Sequence, residues 1–142
     1  MRLLPGDSFR FSTPIKVRFR DLDALGHVNN AVYFTYMEQA RVDYMDRLGL
    51  FQPDQSKVGF IIAEATCQYK APIRRDSLLT VKVRVSHIGN SSFIMDYHLV
   101  DQPSGELMAV GRTVNVVYDY AAGRSVPMPA DWRARLTAFE GM

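Results

Sequence analysis

Residues 21–30 bring together two carboxylates (Asp21 and Asp23), an imidazole (His27) and two side-chain amides (Asn29 and Asn30), directly ahead of a segment with helical periodicity. The first backbone N–H groups of a helix have no partner inside it and carry partial positive charge. A carbonyl oxygen placed against them is polarised, and an oxyanion forming there is stabilised. A carboxylate a few residues upstream, on the loop that delivers the chain into the helix, can be held beside the same carbonyl carbon. There it would attack as a nucleophile or activate water as a general base. Gly26 gives the loop the backbone freedom to bring the two groups together. The chemistry expected of this loop is acyl transfer.

The elements that must position the loop are a strand before it and a helix after it. Apolar Ile15, Val17 and Phe19 alternate with Lys16 and Arg18, which predicts a half-buried strand over 15–19, preceded by an irregular arm over 1–13. Tyr33, Tyr36, Met37, Ala40, Tyr44 and Leu48 recur at three- and four-residue spacing, predicting a helix over 29–48 with one apolar stripe. Glu38, Gln39, Asp43, Asp46 and Arg47 take its other face, with Asp43 and Arg47 as an i,i+4 pair. Asn29 or Asn30 suits the N-cap, and Gly49 the stop.

Beyond Pro53 the pattern turns to strands. Residues 58–69 pass from a continuous apolar run into alternation, and Leu79, Val81, Val83 and Val85 alternate with polar neighbours. Gly89-Asn90 and Pro103-Ser104-Gly105 mark turns between further strands over 93–100 and 107–120, and 132–139 has a short helical pattern. Short links favour antiparallel pairing. The expectation is an α+β fold in a single domain over 1–142, with one long helix packed against a curved antiparallel sheet of about five strands. One helix leaves apolar area of such a sheet uncovered, and oligomerisation is the simplest cover.

Composition narrows the function further. With 17 Lys and Arg against 15 Asp and Glu, spread along 142 residues for a net charge of +2, no clustered basic face for nucleic acid is visible. The single cysteine, Cys67, excludes an intramolecular disulfide and a cysteine-based metal site. His87 and His98 lie in strand patterns without metal-ligand spacing. The N-terminal stretch lacks the apolar core and cleavage site of a signal peptide, and no window is apolar enough to span a bilayer. A soluble, cytoplasmic protein that binds no metal is expected.

The run over 17–41, VRFRDLDALGHVNNAVYFTYMEQAR, resembles the signature of the 4-hydroxybenzoyl-CoA thioesterase type of hotdog proteins. That pattern is a strand, an Asp-x-Asp-x-x-Gly loop followed by His-Val-Asn-Asn, then Tyr and a helical Glu-x-x-Arg. It is met here by Asp21, Asp23, Gly26, His27, Val28, Asn29, Asn30, Tyr33, Glu38 and Arg41, and more weakly by Tyr69-Lys70-Ala71-Pro72 and the last long strand. The resemblance implies a hotdog fold and a thioesterase hydrolysing acyl-CoA to free acid and CoA without a cofactor. It implies Asp23 as the catalytic carboxylate and the Asn30 backbone amide as the oxyanion donor. Gly26, Asn29, Tyr33 and Glu38 fall in the substrate-binding region, and family members are homodimers or homotetramers with the pocket between subunits. His27 matches a histidine that plant acyl-carrier-protein thioesterases use. Those enzymes also carry an asparagine two residues after the aspartate, where this chain has Leu25, a departure that argues against their mechanism here.

Each of these residues has a plainer reading. Asp23 could be a turn former, and Asp21 a structural group paired with Arg20 or capping a turn. His27 could orient the loop rather than touch substrate, and Glu38 could be a solvated glutamate. Tyr33, Tyr36 and Met37 fit a core as well as an acyl pocket, and Cys67 a small buried residue. Lys70, Arg74, Arg75 and Arg112 are candidates for CoA phosphates on charge alone. The rival functions are a hotdog hydratase or dehydratase acting through a His/Asp dyad, and a non-catalytic acyl-CoA-binding protein.

Overall fold

The computed structural model describes residues 8–50 and 58–142, so residues 1–7 of the expected arm and Pro53 lie outside the described residues. Alternating side chains put β1 (Phe11–Lys16), β2 (Val58–Tyr69), β3 (Leu78–Ile88), β4 (Ser92–Asp101), β5 (Leu107–Asp119) and β6 (Arg124–Ser125) into one antiparallel sheet. Its order is β1-β3-β4-β5-β2, with the short β6, which the sequence reading lacked, on β5. The long helix α1 (Val32–Leu48) packs on one face, and α2 (Ala130–Glu140) follows the sheet. Among the described residues no helix is long and apolar enough to cross a membrane.

The predicted stripe of α1 is the buried one: Tyr33, Tyr36, Met37, Ala40 and Tyr44 join Val81, Val83, Val85, Met95 and Leu99 of the sheet in one core. Gly111 of β5 lets the helix come close, since a Cβ there would run into Met37 Sδ. Under the helix runs a buried polar line. Arg41 Nη1 donates to Tyr97 Oη at 3.1 Å, and Tyr97 Oη lies 2.9 Å from Thr113 Oγ1. Asn115 Nδ2 donates to the Phe93 carbonyl at 3.2 Å. Burial of such groups is tolerated because each has a partner. Glu140, at the end of α2, takes the Tyr44 hydroxyl (2.6 Å) and the Val85 amide (2.8 Å), where β3 shifts register.

Four local expectations are corrected. The first strand covers Phe11–Lys16 instead of 15–19, and Phe19–Asp21 is a 3-10 turn. Buried Thr13 continues the inward row because its hydroxyl donates to Asp43 at 2.8 Å, so a polar residue occupies a core-facing site that an apolar pattern does not register. The helix begins at Val32, later than the expected 29, because residues 29–31 form a turn first. Asp43 is held by Thr13 and Gln39 rather than Arg47. Cys67, expected buried, is only partly so, because β2 is an edge strand with nothing beyond it among the described residues. Gly49 does end α1, at φ +69°.

Candidate active site

The loop between β1 and α1 is itself a small hairpin. Asn29 N donates to the Asp21 carbonyl (2.8 Å), Leu22 bridges Val28, and Asp23 N donates to the His27 carbonyl (2.7 Å). Gly26 makes the turn at φ +77°, a left-handed conformation that favours glycine. On its other side the hairpin is stitched to the segment after β2: Val28 N donates to the Ile73 carbonyl at 2.8 Å, and His27 bridges Arg74. The loop is thus paired on both sides by backbone.

The two carboxylates have different surroundings. Asp21 is buried and accepts from the Arg18 amide (2.9 Å), the Arg18 guanidinium (2.9 Å) and the Tyr36 hydroxyl (2.8 Å). Its partner is therefore Arg18 and not Arg20, because the 3-10 turn folds residue 18 back over residue 21. Burial works against its charge, but the bonds from Arg18 and Tyr36 outweigh that and hold the Asp21 carboxyl below the usual carboxylate range. Burial and the neighbouring carboxylate push the Tyr36 hydroxyl well up. Asp23, by contrast, is exposed. One of its oxygens, Oδ1, accepts from the amides of Leu25 (2.9 Å) and His27 (3.2 Å), which orients the carboxylate from its own turn. Asp23 is thus a turn former by one oxygen, and Oδ2 takes no part in those bonds.

At the helix start, Asn29 caps earlier than a formal N-cap: its Oδ1 accepts from Ala31 N at 2.9 Å, and its carbonyl from Val32 N at 2.9 Å. Asn30 is exposed, and among the described residues nothing accepts from its backbone N–H. Its carbonyl takes the Tyr69 hydroxyl at 2.7 Å, tying the helix start to the end of β2. Tyr69 also packs edge-on against buried Tyr33 at 4.7 Å, and the Ile73 amide donates to the Tyr33 hydroxyl at 3.3 Å. Burial raises the Tyr33 hydroxyl and the Cys67 thiol alike.

The loop, Tyr33, Lys70 and Arg74 therefore gather where β2 ends and α1 begins, with Arg75 one residue on. Glu38 is exposed on the second turn of α1 and makes no side-chain hydrogen bond among the described residues. Arg112 is committed to Asp96 at 2.9 Å. Sequence reasoning missed Tyr69, Tyr36 and Arg18 as supports of the loop. Their types are ordinary in strands and helices; the fold brings Tyr36 and Tyr69 to residues 21–30, and the local 3-10 turn brings Arg18. Among the described residues no three His, Cys, Asp or Glu side chains gather closely enough to hold a metal ion.

Comparison with known proteins bears on the family and the fold. A sequence profile of the thioesterase-like superfamily matches residues 17–136. A thioesterase from Thermus thermophilus, solved with coenzyme A and zinc, is 37% identical and superposes with a TM-score of 0.83 over 96% of this chain and 98% of its own. The long-chain acyl-CoA thioesterase FadM of Escherichia coli is 27% identical over 125 residues, 87% of this chain and 95% of that protein. The chloroplastic acyl-acyl carrier protein thioesterase ATL3 of Arabidopsis thaliana is 28% identical over 127 residues, 88% of this chain and 66% of that protein. With its signature loop, its long helix on an antiparallel sheet and this match over most of its length, the chain belongs to the thioesterase-like superfamily and has the hotdog fold.

Proposed function

We propose that the chain is an acyl-CoA thioesterase that hydrolyses its substrate to free acid and CoA, with no metal or redox cofactor. The observation that carries this reading is the Asn30 N–H, two residues ahead of α1 and without an acceptor among the described residues, on the same short loop as an Asp23 carboxylate oriented by its own turn. The thioester carbonyl is placed against the Asn30 amide, whose partial positive charge stabilises the oxyanion. Asp23 either attacks the carbonyl carbon, forming an acyl anhydride that water then hydrolyses back to the carboxylate and free acid, or takes a proton from a water that attacks directly. In both routes the carbon–sulfur bond breaks and CoA leaves as its thiolate. His27, with its backbone paired on both sides, shapes the Asp23 turn. Gly26, Asn29 and Tyr33 line the approach, and Lys70, Arg74 and Arg75 stand at the mouth for the phosphates. Glu38 stays a weaker candidate, reachable only from a ligand lying along α1.

We further propose a homodimer, or a tetramer built from it. Strand β2 runs for 12 residues at a sheet edge with Ile61, Ile62 and Tyr69 exposed, an arrangement that invites pairing with a second copy. Tyr69 joins that edge to the Asn30 loop, which puts the site beside the interface.

The test is a panel of acyl-CoAs assayed for thiol release, with Asp23→Asn alongside. The variant keeps the shape of the side chain and removes its charge, and turnover should fall roughly 10²–10⁴-fold. No thiol release with any acyl group would sink the enzyme reading. Turnover retained within a few-fold would move catalysis away from Asp23.

A further inference from the structure

We infer that a groove between β1 and the segment before β3 receives the nucleotide end of coenzyme A, with adenine against the Phe19 ring and phosphate on Arg75 and Lys16, so that the chain selects CoA thioesters over carrier-protein thioesters. This rests on the acyl-CoA reading above and assigns the carrier. Phe19 is 80% exposed, and the cation of Arg75 stands 5.9 Å from its ring centre. A large ring left in water is informative where a buried one is not. Arg75 lies over one face of the ring, and an exposed aromatic ring with a guanidinium on it is a stacking platform for a nucleobase with a phosphate contact at its edge.

Next to this pair lies a groove of about 860 Å³, within the usual size of small-ligand sites. Its walls include Ile15, Val17 and Leu78, with Leu78 itself 64% exposed, and it carries the cations Lys16 and Arg75 and one carboxylate, Asp76. Among the described residues neither Lys16 nor Arg75 is engaged in an ion pair. An apolar concavity with unpaired cations at its rim suits a compact planar base with phosphates.

The groove is also at the right reach. Asp23 pairs with His27, and His27 with Arg74, so the Arg74 backbone stands two strand spacings, about 10 Å, from that of Asp23. Arg75 follows directly. The pantetheine arm of CoA spans such a distance, with its thioester at Asp23 and its nucleotide beyond Arg74. A carrier protein presents the same arm on a serine and has no base to place against Phe19.

The experiment compares wild type, Phe19→Ala and Arg75→Gln on one acyl group carried by CoA, by pantetheine alone and by acyl carrier protein. In wild type acyl-CoA should be preferred over both other thioesters. In each variant the kcat/KM ratio of acyl-CoA to acyl-pantetheine should fall about tenfold, mainly through the KM for acyl-CoA. Taking the ratio within each variant removes any general loss of folding or turnover. An unchanged ratio in either variant, or a wild-type preference for acyl carrier protein, would overturn the assignment. A wild type that hydrolyses none of the three defeats the thioesterase reading itself.

Discussion

Asp21 and Asp23 are two residues apart in one motif, and their environments divide the labour between them. Asp21 commits its carboxylate to Arg18 and Tyr36, holding the 3-10 turn to the first turns of α1. Asp23 faces solvent and keeps an oxygen outside its own turn. The difference has a measurable consequence for stability. The folded-state pKa of Asp21 lies below its unfolded value, so the stabilisation is fully present above the unfolded pKa, about 3.9. It is lost as pH falls through the lower folded value, where the native carboxylate is finally protonated. Asp21→Asn should therefore flatten the fall of Tm below about pH 4 while lowering Tm at neutral pH. Parallel Tm profiles for variant and wild type in that acid range would refute the role given to Asp21.

At the scale of elements, the helix and strands were legible wherever burial follows a period. The stripe from Tyr33 to Tyr44, the alternation over β3 and the Gly49 stop all stand where periodicity puts them. The first strand was not legible, because buried Thr13 is polar and solvent-facing Phe19 is apolar, which reverses the pattern at both ends. The close seat of α1 on β5 was equally invisible, since Gly111 reads in sequence as an ordinary interruption of a strand. Gly111→Ala would press a Cβ into buried Met37, and it should cost about 1–3 kcal/mol in urea unfolding, as overpacked cores do. Adding Met37→Val, which removes the Sδ and Cε in the way, should recover most of that loss. A single variant as stable as wild type would show that the helix is free to shift.

On the scale of the whole molecule, the candidate site sits next to β2, an edge strand among the described residues, and the proposed dimer makes that edge internal. Ile61 and Ile62 point to opposite faces of the strand and are both 39% exposed. Replacing both with lysine should leave the folded chain intact and convert a dimer to a monomer in sedimentation velocity, with thiol release falling alongside. An unchanged mass would place the interface elsewhere. By itself the sequence determined the order of the long elements, the loop that could do acyl chemistry and the family that uses it, because these depend on residue types at short spacings. Only the tertiary structure decided that Asp21 is committed to Tyr36 as well as Arg18, that Tyr69 reaches across from β2 to hold the helix start, and that Phe19 and Arg75 stand open beside a groove. Those facts rest on contacts between residues 15 to 56 positions apart, and no local pattern encodes which distant side chain arrives. The loop at 21–30 announces a thioester; the fold around it supplies the supports, the edge and the groove.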